Sequence, residues 1–253
     1  MEIQGLSTIV TGGASGLGGA TAAMFASRGA SVAIFDLQEE AGRRHANAIG
    51  ALFIRTDVSS EDSVSSALAE AERAHGVPRI LVNCAGIGTG TKTVARDFAA
   101  HPLEEFRRTI EVNLVGTFNV LSKFAARLAQ ADLSEEERGV IINTASVAAF
   151  EGQVGQAAYS ASKAGIVGLT LPVARDLAQH RIRVMTIAPG LFSTPLLQTV
   201  PEEGLASLAK QVPFPGRLGK PEEFAQLVES IVANPMLNGE VIRLDGAIRM
   251  APR

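Results

Sequence analysis

The chain has 253 residues, of which 46% are hydrophobic and 19% charged, and its formal net charge is −3 at pH 7. So much apolar material supports a large core and excludes a disordered chain. The small negative charge excludes the chain-wide basic field that draws proteins to nucleic acid.

In chain order, short β-rich apolar runs alternate with longer helical stretches. Strands are expected at residues 6–11, 31–36, 52–56, 80–83, 140–144, 183–187 and 241–244. Most are apolar at consecutive positions, which suits strands buried on both faces of a parallel sheet. Helical spacing of Ala, Glu, Leu and Arg appears at 20–27, 63–74 and 104–128. Two longer connections interrupt this rhythm. One runs over 89–102, and the other is a Pro-containing excursion over 191–217 with a short helical piece near 202–211. No linker or internal repeat divides the chain. The expectation is an α/β fold, a single doubly wound Rossmann-type domain over 1–253. It has a seven-stranded parallel sheet flanked by helices on both faces. Ligands of such sheets bind beyond the carboxyl ends of the strands, so the 191–217 excursion is expected to be a substrate lid.

The first strand enters Thr11-Gly12-Gly13-Ala14-Ser15-Gly16-Leu17-Gly18, and a helix follows. A tight turn that lets backbone amides approach a pyrophosphate has no room for side chains, and the helix start adds unpaired N–H groups and partial positive charge. Asp36 ends the second strand, 18 residues beyond Gly18. A carboxylate there accepts from both hydroxyls of an adenosine ribose. It would also repel a 2′-phosphate, and Leu37, Gln38 and Glu39 supply no cation. These features favour NAD over NADP.

The single tyrosine, Tyr159, precedes Lys163 by four residues, so both side chains leave one helix face. A phenol is ordinarily a poor base at neutral pH, and a cation one turn away is expected to lower its pKa and suit it to proton transfer with an alcohol oxygen. Ser146, at the end of the fifth strand, is positioned to hydrogen-bond the same oxygen. The four histidines, His45, His75, His101 and His180, show no ligand spacing. They are read as surface residues, and no metal is expected. The pairs Arg43-Arg44 and Arg107-Arg108 are read as solvated helix faces.

The glycine turn, Asn83-Cys84-Ala85-Gly86, Asn113, Ser146 and Tyr159-x-x-x-Lys163 together resemble the short-chain dehydrogenase/reductase family over essentially the whole chain. The resemblance implies roles. Gly12, Ser15, Gly16, Leu17 and Gly18 would hold the pyrophosphate side, Asp36 the ribose, and Asp57 with Val58 the adenine. Asn83, Cys84, Ala85 and Gly86 would line the middle of the cofactor. Lys163 would also bind the nicotinamide ribose, Asn113 would hold a water in a proton relay, and Pro189, Phe192 and Thr194 would cover the nicotinamide. Ser146, Gln153, Gln156 and Tyr159 would face the substrate.

Residues 140–176, 183–197 and 238–250 are similar to the branch of that family that oxidises (3S)-3-hydroxyacyl-CoA to 3-oxoacyl-CoA. Two departures from that branch are a shorter 89–103 connection and Ser193 in place of a glycine. The apolar residues Leu191, Phe192, Leu196, Leu197, Leu205, Val212 and Phe214 suit an acyl chain, a steroid, or simple packing of the lid. A hydroxysteroid or other secondary-alcohol dehydrogenase, a 3-oxoacyl carrier-protein reductase and a catalytically silent nucleotide-binding scaffold stay open as alternatives. The resemblance further implies a homotetramer. The lone cysteine excludes an intrachain disulfide and fits a reducing compartment. The start of the chain does not read as a signal peptide, and no apolar run reaches the roughly 18 residues of a membrane span. A cytoplasmic protein without membrane or nucleic-acid partners is expected.

Overall fold

A computed structural model describes residues 1–88, 90–195, 197 and 202–252. Seven parallel strands form one sheet in the order β3-β2-β1-β4-β5-β6-β7. They are β1 (Ser7–Thr11), β2 (Ser31–Asp36), β3 (Leu52–Arg55), β4 (Ile80–Asn83), β5 (Gly139–Thr144), β6 (Ile182–Pro189) and β7 (Val241–Leu244). All seven expected strands are present, with bounds moved by at most two residues. The order reverses between β1 and β4, so a crevice opens above their carboxyl ends.

Consecutive apolar residues serve two cores because successive strand side chains point to opposite faces. Val10, Ile34, Val82 and Ile142 pack with α1 (Gly16–Ser27) and α8 (Pro221–Ala233) through Phe25, Phe224 and Val228. Ile9, Phe35, Leu81 and Ile141 face α3 (Glu61–His75) and α5 (Gly116–Gln130) through Leu68, Leu121 and Phe124. Removing one buried ring of this kind costs about 3–5 kcal/mol, a large share of a domain's net stability. Local signals set the helix ends. Ser60 Oγ accepts from Ser63 N (3.3 Å) at the start of α3, and Gly50 takes a left-handed φ of 69° after α2 (Glu39–Ile49).

The helix expected over 104–128 is three pieces: α4 (Leu103–Ile110), a π-helical turn (Glu111–Val115) and α5. The extra residue of the π turn rotates Asn113 inward, where it is fully buried. α6 (Ala157–Ala178) carries Tyr159 and Lys163. α7 (Glu202–Lys210) lies within the 191–217 excursion. The histidine expectation is corrected. Only His180 is exposed, while His45 and His101 are half-buried and bonded to the Gly19 and Thr91 carbonyls (2.9 and 3.1 Å), and burial lowers the pKa of His75. Among the described residues, no helix is long and apolar enough to cross a membrane.

Candidate active site

The glycine turn lies at the carboxyl end of β1, and its glycines are required by contact as well as by conformation. Gly12 has φ 63°, and a Cβ there would stand 2.7 Å from Ala85 N. A Cβ on Gly18 would stand 2.3 Å from Gly12 O and 3.1 Å from Cys84 Cβ. Across the opening, Gly16 faces Thr194 and Pro195. Ser15 caps α1 without a side-chain cap bond, so its exposed hydroxyl is not tied to the helix. Beside the turn, Asp36 accepts from Ala14 N (3.0 Å) through one oxygen and from Gln38 N (2.9 Å) through the other. Asp57, just past β3, binds Ser59 N and Oγ through one oxygen (2.9 and 2.6 Å). Val58 is buried against Gly116, and its carbonyl accepts from Asn119 Nδ2 (2.8 Å).

A buried polar ladder crosses the strand ends: Thr11 Oγ1 donates to Asn83 Oδ1 (3.4 Å), and Asn83 Nδ2 donates to Asn143 Oδ1 (3.0 Å). The same Thr11 hydroxyl accepts from Cys84 N and Ala85 N (3.2 and 3.1 Å), which fixes the 83–86 turn over the crevice. Cys84 follows Asn83 on this turn. Its thiol is pushed up to about 11 by burial, against smaller opposing pulls from a Thr144 hydrogen bond and Lys163.

A cleft of about 710 Å3 occupies the other half of the crevice. It brings together Leu17, Cys84, Gly86, Ser146, Gln153, Gln156, Tyr159, Lys163, Pro189, Phe192 and Thr194. Gly12, Ser15, Asp36, Asp57 and Val58 are outside it, at the ends of β1 to β3. Ser146 starts a 3-10 turn (Val147–Ala149), accepts from Ala148 N (3.1 Å) and lines the cleft near enough to Tyr159 to act on its phenol. Lys163 Nζ lies 5.7 Å from the centre of the Tyr159 ring and donates to Thr144 O (2.8 Å). Among the described residues, that carbonyl is its sole hydrogen-bond acceptor.

These positions correct the expected electrostatics. Burial raises the Tyr159 phenol above its ordinary value of 10.0, and the Ser146 hydrogen bond pulls the other way. Burial lowers Lys163 to about 8, with attraction to Cys84 opposing it. The ammonium stands over the ring face and is bonded to a backbone carbonyl, so desolvation outweighs its pull on the phenol.

Asn113 is a brace. Its Oδ1 accepts from Ile87 N (2.8 Å), and its Nδ2 donates to Ile87 O (2.9 Å) and Ser162 Oγ (3.1 Å). Ser162 Oγ donates in turn to Tyr159 O (2.7 Å). The Asn113 carbonyl also accepts from Thr117 Oγ1 (2.7 Å). Sequence reading missed Asn143, Thr144, Ser162 and Met250, because a polar strand end or a lone helix serine carries no pattern of its own. Gln153 is largely committed to the protein. Its Nε2 donates to Ala251 O (2.9 Å), and its N donates to Gln156 Oε1 (3.0 Å).

The apolar residues of 191–217 divide. Leu191, Phe192 and Leu197 line the cleft, joined by Leu208. Val212 lines a separate pocket, Leu205 lines neither, and Phe214 is 80% exposed, so packing and solvent claim part of the expected acyl surface. Leu196 lies outside the described residues.

A doubly wound sheet with a glycine turn that fits a dinucleotide, and a Ser-Tyr-Lys group lining the cleft at the far end of the same crevice, defines a nicotinamide-dinucleotide oxidoreductase. Residues 7–204 match the family profile described as short chain dehydrogenase, and the chain belongs to that family. It is similar to human 3-hydroxyacyl-CoA dehydrogenase type-2, at 56% identity over 255 residues, 99% of this chain and 98% of that protein. The Drosophila melanogaster protein of the same name is 53% identical over 254 residues, 99% of this chain and 100% of that one. Among solved structures, 3-hydroxyacyl-CoA dehydrogenase type-2 from Mycobacterium avium superposes with a TM-score of 0.93 at 44% identity, covering 100% of both chains. A 3-ketoacyl-(acyl-carrier-protein) reductase from Brucella melitensis, complexed with NADH, superposes at 0.87 with 32% identity, covering 98% of this chain and 100% of that one.

Proposed function

We propose that this protein is an NAD-dependent dehydrogenase that interconverts (3S)-3-hydroxyacyl-CoA and 3-oxoacyl-CoA. The observation that carries the reading is the half-buried Tyr159, which shares with Ser146 and Lys163 the cleft that continues the glycine crevice. The substrate class rests on similarity to the human and Drosophila dehydrogenases.

The residues fit a dinucleotide. Cβ atoms at Gly12 and Gly18 would fill the cradle, and Lys163 is a buried cation with donors left over after Thr144 O. Gly12, Ser15, Gly16, Leu17 and Gly18 would hold the pyrophosphate, Asp36 the ribose, Asp57 and Val58 the adenine, and residues 83–86 the middle. Lys163, Pro189, Phe192 and Thr194 would hold the nicotinamide end. When bound, the nicotinamide supplies the hydride donor or acceptor. Ser146 and Tyr159 grip the substrate oxygen between them. In reduction the protonated phenol delivers its proton to that oxygen, and in oxidation Tyr159 takes it back. The Asn113–Ser162 bonds hold the Tyr159 backbone in place for both directions, and the Asn113 carbonyl, which also accepts from Thr117 Oγ1, would hold a relay water. Gln156 faces the substrate from the loop before α6, and 191–217 acts as the lid of a single catalytic domain over 1–253.

NAD is favoured because the Asp36 carboxylate is fixed by two backbone N–H groups and cannot swing away from a 2′-phosphate. At 4 Å, like charges repel by about 4 kcal/mol at intermediate dielectric. This weighs against the carrier-protein reductase reading, and the assembled trio weighs against a silent scaffold. We further propose a homotetramer in the cytoplasm. Exposed Leu103, Val115 and Phe118 mark the α4–α5 face as an apolar surface for another copy, and Cys84 is a free thiol. The test is absorbance of the reduced nicotinamide with acetoacetyl-CoA. Rapid oxidation of NADH and slow oxidation of NADPH are expected. Oxidation of neither would reject the acyl-CoA reading, and a preference for NADPH would reject the role of Asp36.

A further inference from the structure

Past β7 the chain turns back toward the cleft. Gly246 and Ala247 both adopt left-handed backbone (φ 59° and 66°), and Asp245 Oδ1 accepts from Ala247 N (3.0 Å) to hold the turn. Ala247 has a Cβ, so this conformation persists only where its surroundings enforce it. Buried Ile248 anchors the turn, and Met250 beyond it lines the cleft. The tail is then stitched to the loop before α6. Met250 N donates to Glu151 Oε2 (3.1 Å), Gln153 Nε2 to Ala251 O (2.9 Å) and Val154 N to Pro252 O (3.1 Å).

Arg243 stands at the root of both segments. Its guanidinium grips Glu151 through two nitrogens (2.8 and 3.1 Å), Asp245 through Nε (2.8 Å) and Ile248 O through Nη2 (3.1 Å). It also stacks on Phe150, 5.3 Å from the ring centre. Lysine has neither the planar fork nor the number of donors to replace it. Without Arg243, Glu151 and the nearly buried Asp245 would keep only the exposed Arg249 as a shared partner.

The loop that Arg243 holds is a partition. Gln153, Val154 and Gln156 line the 710 Å3 cleft on one side and a second cavity of about 470 Å3 on the other. We propose that residues 249–252 and this partition set the length of acyl chain the cleft accepts. Arg243 is the positioning residue that locks them together. The inference rests on the acyl-CoA reading above. A loosened partition opens the cleft into the second cavity, so discrimination against longer chains is lost while the hydride chemistry, on other elements, is retained. Met250 is the specificity-determining side chain of the wall.

The test compares wild type, Arg243→Ala, Arg243→Lys and Met250→Ala as full-length enzymes with acetoacetyl-CoA and 3-oxodecanoyl-CoA, together with amide hydrogen exchange. Arg243→Ala is expected to speed exchange in the 150–156 and 249–252 segments together. It should raise KM for the short substrate about tenfold, with kcat and the KM for NADH within about twofold. Arg243→Lys should recover only part of this. Met250→Ala should shift kcat/KM toward the long substrate without changing exchange, and it decides the question if Arg243→Ala does not fold. Unchanged exchange in Arg243→Ala, or an unchanged long-to-short ratio in Met250→Ala, overturns the proposal. A wild type inactive on both thioesters defeats the acyl-CoA reading and the chain-length claim with it, whereas an active wild type with an unmoved ratio defeats the chain-length claim alone.

Discussion

The two ends of the crevice are built on different physics. At the adenosine end, backbone N–H groups, glycines without side chains and one fixed carboxylate form an open surface whose shape follows from strand–turn–helix geometry. At the chemical end, Lys163 and Asn113 are buried and Tyr159 is half-buried, and their properties come from desolvation and from hydrogen bonds reaching in from the ends of β4 and β5 and from α6. The first end can be specified by a short motif. The second needs the whole sheet, because burial is a property of the assembled core. Binding and chemistry should therefore separate under mutation.

The sharpest separation is expected from Tyr159→Phe. The ring still packs, the cradle is untouched, and only the phenol oxygen is lost. Turnover should fall by about 10²–10⁴-fold, with NADH binding, followed by its fluorescence, unchanged. Gly18→Ala should do the reverse. Its Cβ would meet Gly12 O at 2.3 Å, which forces backbone to move. Overpacking of this kind costs about 1–3 kcal/mol, so NADH should bind about 10- to 100-fold more weakly, and kcat at saturating NADH should persist. A Gly18→Ala enzyme with normal affinity, or a Tyr159→Phe enzyme that fails to bind NADH, would erase the distinction between the two ends.

The same distinction explains what could be read from sequence. Seven strands, the glycine turn, Asp36 and the Tyr159–Lys163 spacing are local patterns, and each stands where its pattern implies. The π turn is not local: Glu111–Val115 reads as continuous helix, and only the contacts of Asn113 with Ile87 and Ser162 reveal why the helix widens. Thr11, Asn83 and Asn143 form a ladder only because β1, β4 and β5 become neighbours in register. Gln153 lines the cleft as its place in the sequence suggests, but the bond of its amide to the tail is a contact no local pattern shows. Most consequentially, a helical Tyr-x-x-x-Lys spacing implies a lowered phenol pKa. The fold reverses the direction, since burial acts on both groups and the ammonium is drawn to Thr144 O.

That reversal can be observed with little ambiguity, because the chain contains one tyrosine and no tryptophan. Phenolate absorbance in the folded enzyme without cofactor therefore reports Tyr159 alone. The account predicts ionisation above the ordinary 10.0, so that reduction has its proton donor intact at neutral pH. A phenolate signal appearing below that value would mean that Lys163, and not burial, governs the phenol, and would contradict the description of the chemical end given above.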